Sequence, residues 1–378
     1  MKMRLGLTAI LLAACLPASA QDIRIGGLLE TSGFIASLGQ PGAEGAQLAV
    51  DQVNAAGGIN GRKIQFTNVN SESDNTKTVS GFKRLVEQDK VVGVIGPMSS
   101  GSAFAVADSV EGAPLPMIAN GASRGIVQPP EKRRFMFLAP LTDVVVQAVM
   151  LSDMKAKGVT RIAILNSDVA FGTSGRDSLE KAVGAHGISI VARETFGNAD
   201  TDMTPQLTKI RASDAQATVL WATGAGLAIA TKNHRSLGIK TPLYLAHSAN
   251  DFNFLKLAGD AANGILLPSS KIYVTDALPA SDPQKAVVER FVGDYQKKYG
   301  KPPATFAGNG YDAAMMMINA IRKSGTDPLK LRDAIEATRD HVGVTAVYSY
   351  SPTDHYGTKQ ESVVMLTVKD GRFTLAGK

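Results

Sequence analysis

The sequence predicts an α/β protein made of two similar lobes. Three observations carry that expectation. Short apolar runs alternate with amphipathic helical patterns along most of the chain. One run, Val91-Val92-Gly93-Val94-Ile95, is apolar without alternation, as a parallel strand covered on both faces must be. The strand–helix alternation then starts afresh near Arg161.

Residues 23–29 form the first predicted strand. In 42–56, Ala46, Ala49, Val50 and Val53 fall at i, i+3, i+4 and i+7, one face of a helix. Asn54-Ala55-Ala56-Gly57-Gly58 stops it, because glycine takes the left-handed conformation that ends helices. A strand at 63–70, a helix at 76–88 and the apolar strand at 91–95 follow. Next come a helix at 101–110, a strand at 116–119 and a helix at 143–158. The second series runs strand 161–166, helix 173–186, strand 189–194, helix 203–212, strand 217–222, helix 225–237 and strand 242–246. Such repetition calls for right-handed crossovers. The late helices at 311–322 and 328–338 are assigned to the first lobe. Residues 362–375 read as strand, turn and strand about Asp370-Gly371. The expected lobes are 22–140 plus 270–345, and 141–269 plus 346–378.

The first 20 residues read as a secretory signal. Lys2 and Arg4 precede an uncharged apolar stretch, and Ala18-Ser19-Ala20 offers the small residues a signal peptidase cuts after, leaving Gln21 first. A competing reading takes Leu12-Ala13-Ala14-Cys15 as a lipobox with Cys15 lipidated. Cys15 is the single cysteine, so cleavage after Ala20 leaves no disulfide. The remaining 358 of 378 residues must fold on an apolar core, and two domains fit that length. Lys and Arg fall from 40 to 38 against 34 Asp and Glu, a net charge of +4. The charges are interspersed, and the one basic cluster, Glu131-Lys132-Arg133-Arg134, reads as a solvated loop. No basic stripe with interleaved aromatics suggests nucleic acid. After residue 20 no apolar run reaches membrane-spanning length.

Two loops are built for an anion. Gly96-Pro97-Met98-Ser99-Ser100-Gly101 joins a strand to a helix, and Asn120-Gly121-Ala122-Ser123 follows the next strand. Ligands of open parallel sheets bind beyond the carboxyl ends of strands. Hydroxyls, unpaired amides at a helix start and the helix dipole can hold a carboxylate there without Lys or Arg. N-capping by Ser99, Ser100 and Ser123 is the ordinary alternative. Two such loops at adjacent strand ends favour a site.

The stretch from Gly42-Ala43-Glu44-Gly45-Ala46 through Asn54-Ala55-Ala56-Gly57-Gly58-Ile59-Asn60-Gly61 resembles the signature of the leucine/isoleucine/valine-binding proteins, type I periplasmic binding proteins of ABC importers. The resemblance continues through 92–102, 116–123, 162–172 and 311–314, and covers essentially the whole chain after residue 20. It implies two Rossmann-like lobes joined by three hinge crossings, with the ligand in the cleft between them. It also implies a periplasmic location and an inner-membrane ABC permease as partner, with no cofactor and a single copy of the chain. Ser100 and Ser123 match the hydroxyls that hold a ligand α-carboxylate in the family, with Ser99 beside them. Gly121 matches a backbone contact to the ligand head. Phe171, Phe306 and Phe34 fall where aromatic groups wall the site, although core packing is the usual fate of a Phe. One departure stands out. Amino-acid binders of the family place an acidic residue after the strand at 242–246, where this chain has His247, and a tyrosine near Gly224. Histidine is no fixed carboxylate at neutral pH, and a buried ammonium without a charge partner is costly. A carboxylate lacking an amine, aromatic or aliphatic, is therefore expected, with Asp251 or Asp168 the places to look for a charge if an amino acid binds instead.

Other classes fare worse. No His or Cys spacing for zinc appears. His186 and His234 have polar neighbours and are expected on the surface. Gly224-Ala225-Gly226 lacks the rest of a dinucleotide fingerprint. A ligand-sensing receptor module on the same fold is the alternative to transport.

Overall fold

The computed structural model describes residues 21–377. The expected signal at 1–20, with Cys15, lies outside them. Strands β1 (Ile23–Gly27), β2 (Ile64–Asn68), β3 (Gly93–Ile95), β4 (Met117–Ala119) and β5 (Met136–Leu138) form a parallel sheet in the order β2-β1-β3-β4-β5. Helices α1 (Ala36–Ala55), α2 (Asn75–Glu87) and α3 (Ser100–Gly112) link the first four strands. The chain then crosses into α4 (Asp143–Ala156) and a second lobe. There β6 (Arg161–Ser167), β7 (Ser189–Phe196), β8 (Ala217–Trp221), β9 (Leu243–Leu245) and β10 (Leu266–Ser269) alternate with α5 (Ala170–Ala182), α6 (Thr204–Ala212), α7 (Ala225–Ser236) and α8 (Phe252–Ala258). A second crossing returns it to the first lobe as α9 (Lys285–Tyr299), α10 (Thr305–Ser324), α11 (Pro328–Glu336) and a small ribbon of β11 (His341–Val342) with β12 (Val347–Tyr348). A third crossing ends in β13 (Val364–Lys369) and β14 (Arg372–Leu375), which add antiparallel strands to the second sheet, ordered β14-β13-β10-β9-β8-β6-β7. No helix among the described residues is long and apolar enough to cross a membrane.

The third crossing comes later than residue 345. The Leu138 N–H donates to the His355 carbonyl at 2.9 Å. The Tyr348 and Tyr350 hydroxyls donate to the Ala139 and Leu138 carbonyls at 2.6 and 2.7 Å. Residues 347–357 therefore close the open side of β5 and stay with the first lobe. The element boundaries differ elsewhere for local reasons. Helix α1 begins six residues before Gly42, because Pro41 sits close enough to its start to forfeit one hydrogen bond without ending it. Strands β5 and β10, helices α8 and α9 and the β11–β12 ribbon lie outside the elements expected from the sequence. Strand β5 has three residues, and α9 buries only Val288, Phe291 and Tyr295 among charged neighbours.

Helices α1 and α10 lie against each other at backbone distance. A Cβ on Gly45 would stand 1.9 Å from the Ala307 carbonyl oxygen, and one on Gly310 would stand 1.9 Å from that of Gly42. The Tyr311 hydroxyl bonds to Gln52 across the same contact at 2.7 Å. In an exposed helix, Gly to Ala stabilises by about 0.5–1 kcal/mol. Gly293 of α9 is exposed with open space around it, so Gly293→Ala should follow that rule. Gly45→Ala should reverse it and cost about 1–3 kcal/mol. Chemical denaturation of the two variants checks the change of sign.

Candidate functional site

The lobes enclose a cavity of about 450 Å³. Its first-lobe wall is the loop after β3 and the loop after β4. The chain leaves β3 through Gly96, whose φ of 92° suits glycine. Ser99 then caps α3, its Oγ accepting the Ser102 N–H at 3.4 Å. Ser100 follows as the first helical residue, and the amides of Ser100 and Gly101 belong to the first turn, which a helix leaves without internal partners. Beneath the loop lies Glu30, fully buried, whose carboxylate accepts the Met98 and Ser99 N–H groups at 2.8 and 3.1 Å. Burial pushes its pKa up, and the two amides pull against that.

Ser99, Ser100, Phe34, Phe171, Phe306 and His247 all line the cavity. Gly121, Ser123 and Gly224 do not. Gly121 packs on the Ser100 backbone, where a Cβ would meet the Ser100 Cα at 3.0 Å. Ser123 is fully buried, with its N–H 3.4 Å from the Ser100 Oγ. Both support Ser100 from behind, while Asn120 and Ala122 of the same loop face the cavity. Gly224, at φ 68°, lies where a Cβ would stand 3.1 Å from the Phe34 carbonyl oxygen, so it marks a contact between the lobes. Its neighbour Thr223 takes the lining position.

On the second-lobe wall, Phe171 starts α5 and His247 follows β9. Their rings lie 5.6 Å apart, and the Trp221 ring lies 5.7 and 6.0 Å from each. Burial pushes the His247 pKa down to about 4, so the imidazole is neutral at neutral pH. Asp251 does not line the cavity. It caps α8, accepting the Asn253 N–H at 3.0 Å. Asp168 is exposed and accepts the Asn198 N–H at 2.9 Å, also away from the lining. Among the described residues that line the cavity there is no Lys or Arg, and one carboxylate, Asp74. Asp74 is exposed and caps α2 through the Lys77 N–H at 2.8 Å.

Several lining groups were missed. Asn120, Thr223 and Asn309 are buried and carry polar atoms with no partner in the protein, as does His247 at Nδ1. Ser270 and Thr305 meet across the second crossing, Oγ to Oγ1, at 3.2 Å. Asn309 lies three residues after Phe306, on the same helical face, a spacing that could have flagged it. One expectation is corrected. His234 is fully buried, not on the surface, because it continues the inward face of α7 set by Leu227, Ala230 and Thr231. The polar residues beside it, Asn233 and Arg235, disguise that face. His186 is half-buried.

A two-lobed α/β protein with an interlobe cavity edged by uncommitted hydrogen-bonding groups is a receptacle for a small solute. A family model described as periplasmic binding protein matches residues 22–372, and the chain belongs to that family. The Leu/Ile/Val-binding protein homolog 7 of Brucella suis is 24% identical over 375 residues, covering 96% of this chain and 93% of that protein. An extracellular ligand-binding receptor from Rhodopseudomonas palustris superposes with a TM-score of 0.87 at 25% identity, over 94% of this chain and 99% of the other. The branched-chain amino acid transporter substrate binding protein of Streptococcus pneumoniae, solved in complex with isoleucine, gives a TM-score of 0.81 at 27% identity, over 93% and 97%.

Two of the buried histidines, His234 and His247, make stability depend on pH in a known direction. Burial holds both His234 and His247 near pKa 4 in the folded state, below the ordinary value of 6.5. The unfolded chain therefore binds these protons first, and their effect is a loss of stability as pH falls from about 6.5 towards 4. Burial raises the pKa of Glu30 and Asp143, which acts in the opposite sense, so the comparison with variants isolates the histidines. Denaturant titrations between pH 7 and pH 5 should show a smaller loss for His234→Leu and for His247→Gln than for the parent protein.

Proposed function

We propose that the protein is the solute-binding component of an ABC importer, exported to the periplasm by its first 20 residues. Its solute is a small carboxylate, aromatic or aliphatic, with no ammonium group. The observation that carries this reading is the charge inventory of the cavity. Its one lining carboxylate, Asp74, is exposed and engaged as a helix cap, and His247 is neutral where an acid would be needed. An ammonium enclosed there would lack a charge partner. A carboxylate needs no charged partner, because the Ser100 hydroxyl and the first-turn amides of α3 supply donors at the positive end of a helix dipole. The solute would then pass to an inner-membrane permease.

The second reading is a branched-chain amino acid. It is favoured by the name of the Brucella relative and by the isoleucine in the Streptococcus protein. It would use Asp74, the one carboxylate among the described lining residues, whose cap engages only Oδ1.

Calorimetry with matched pairs separates the two: leucine against its oxo-acid, phenylalanine against phenylpropionate, and simple benzoates. The deaminated partners should bind and the amino acids should not; the opposite order overturns the carboxylate reading. A hydrogen bond to a charged group is worth about 1.5–3 kcal/mol, so Ser100→Ala should weaken binding about ten- to a hundredfold. Ser123→Ala should leave binding within about threefold, because the backbone N–H that bonds to the Ser100 hydroxyl is retained. The solute should also draw the lobes together, since each wall supplies only part of the contacts. Small-angle scattering should show a smaller radius of gyration on binding, and an unchanged radius counts against closure.

A further inference from the structure

Asn309 serves neither the core nor the proposed grip on the carboxylate. It stands on α10 with Thr305 and Phe306 one turn before it, and all three line the cavity. Its side chain is 3% exposed, and Oδ1 has no hydrogen-bond partner. The polar groups nearest in sequence and across the crossing are engaged with one another. The Thr305 hydroxyl meets Ser270, and the Thr305 N–H donates to the Tyr273 hydroxyl at 3.1 Å. Asparagine is a poor helix former, and a buried amide without a partner is destabilising. An apolar side chain would serve this helix better unless something in the cavity completes the pairing. Asn120 repeats the pattern from another direction. It follows β4, is 2% exposed, lines the same cavity, and neither Oδ1 nor Nδ2 has a partner.

The two carboxamides come from different walls. Asn120 neighbours the Ser100 loop, whereas Asn309 belongs to the start of α10 beside the second crossing. We propose that Asn309 is a specificity-determining residue, pairing with a neutral hydroxyl or carbonyl on a part of the solute other than its carboxylate. The proposal rests on the reading of the solute as a carboxylate held at the start of α3, and adds a second polar group to it. The group is neutral because no charged residue shares the α10 wall to pair with a charge. A carboxamide offers both a donor and an acceptor, which a hydroxyl can answer together.

The test uses the full mature chain and matched acids that differ by one hydroxyl: phenylpropionate with its para-hydroxylated form, and pentanoate with its terminally hydroxylated form. Calorimetry should show the parent protein preferring a hydroxylated member by about tenfold. Asn309→Leu should abolish that preference while leaving the plain acid within about threefold. Thermal melting of the unliganded variant should be unchanged or raised, since an unpartnered amide has been removed. Asn309→Ala carries the same test should the leucine fail to fold. A parent protein indifferent to the hydroxyl in both pairs, or a variant that keeps the preference, overturns the proposal. Methyl esters of the same acids test the underlying reading separately: esters that bind as well as the acids remove the carboxylate grip and leave the hydroxyl preference standing on its own result.

Discussion

The architecture of the site depends on one buried carboxylate. Glu30 lies just beyond β1 with no exposure, and it takes the amides of Met98 and Ser99 from below. A buried charge is tolerated only when it is answered by donors, so the loop after β3 must hold the conformation that supplies them. That conformation presents Ser100 as the first residue of α3 with its side facing the second lobe. The same bonds remove two amides from the pool a solute could use. What remains for an anion is the helix start itself and the Ser100 hydroxyl, which Gly121 and Ser123 back from behind.

The return path of the chain fixes the opposite side. Asp312, fully buried on α10, accepts the Val344 and Thr345 N–H groups at 2.7 and 2.8 Å and the Thr345 hydroxyl at 2.7 Å. Tyr348 joins that cluster and reaches the Ala139 carbonyl. One network therefore ties α10, the β11–β12 ribbon and the first crossing together. The α10 wall of the cavity is anchored to the first lobe, while the crossings at 139–142 and near Ser270 lead away from it. Relative movement of the lobes leaves that wall with the Ser100 loop.

Much of this was legible in the sequence. Continuous apolar runs such as Val91-Val92-Gly93-Val94-Ile95 announce buried parallel strands, and the restart near Arg161 announces the second lobe. The two hydroxyl-bearing loops at strand ends located the first-lobe wall, and Phe34, Phe171, Phe306 and His247 do face the cavity. What stayed hidden was whatever depends on distant partners. The edge of strand β5 is closed by residues 347–357, over two hundred positions away in the chain. Ser123 is expected to hold the carboxylate from its hydroxyl-bearing loop and from the family resemblance, but its neighbour Ala122 holds the lining place. His234 looked exposed because Asn233 and Arg235 flank it. Asn120 sat in an expected loop and Asn309 one turn after Phe306, while Thr223 carried no signal; only the cavity shows that their polar atoms are left over.

The protein has a single tryptophan, and its position gives the molecule an optical property. Trp221 is fully buried, pressed against Gly175, with its ring within 6.0 Å of both Phe171 and His247. Those two side chains form part of the cavity lining, whereas the indole stands one layer behind them. All indole emission therefore arises from one fluorophore in a dry environment, a single side chain removed from the solute. Occupancy, or a proton on His247, alters the electric field at that indole without touching it, so the intrinsic fluorescence of the unlabelled protein serves as a gauge of what the second lobe holds.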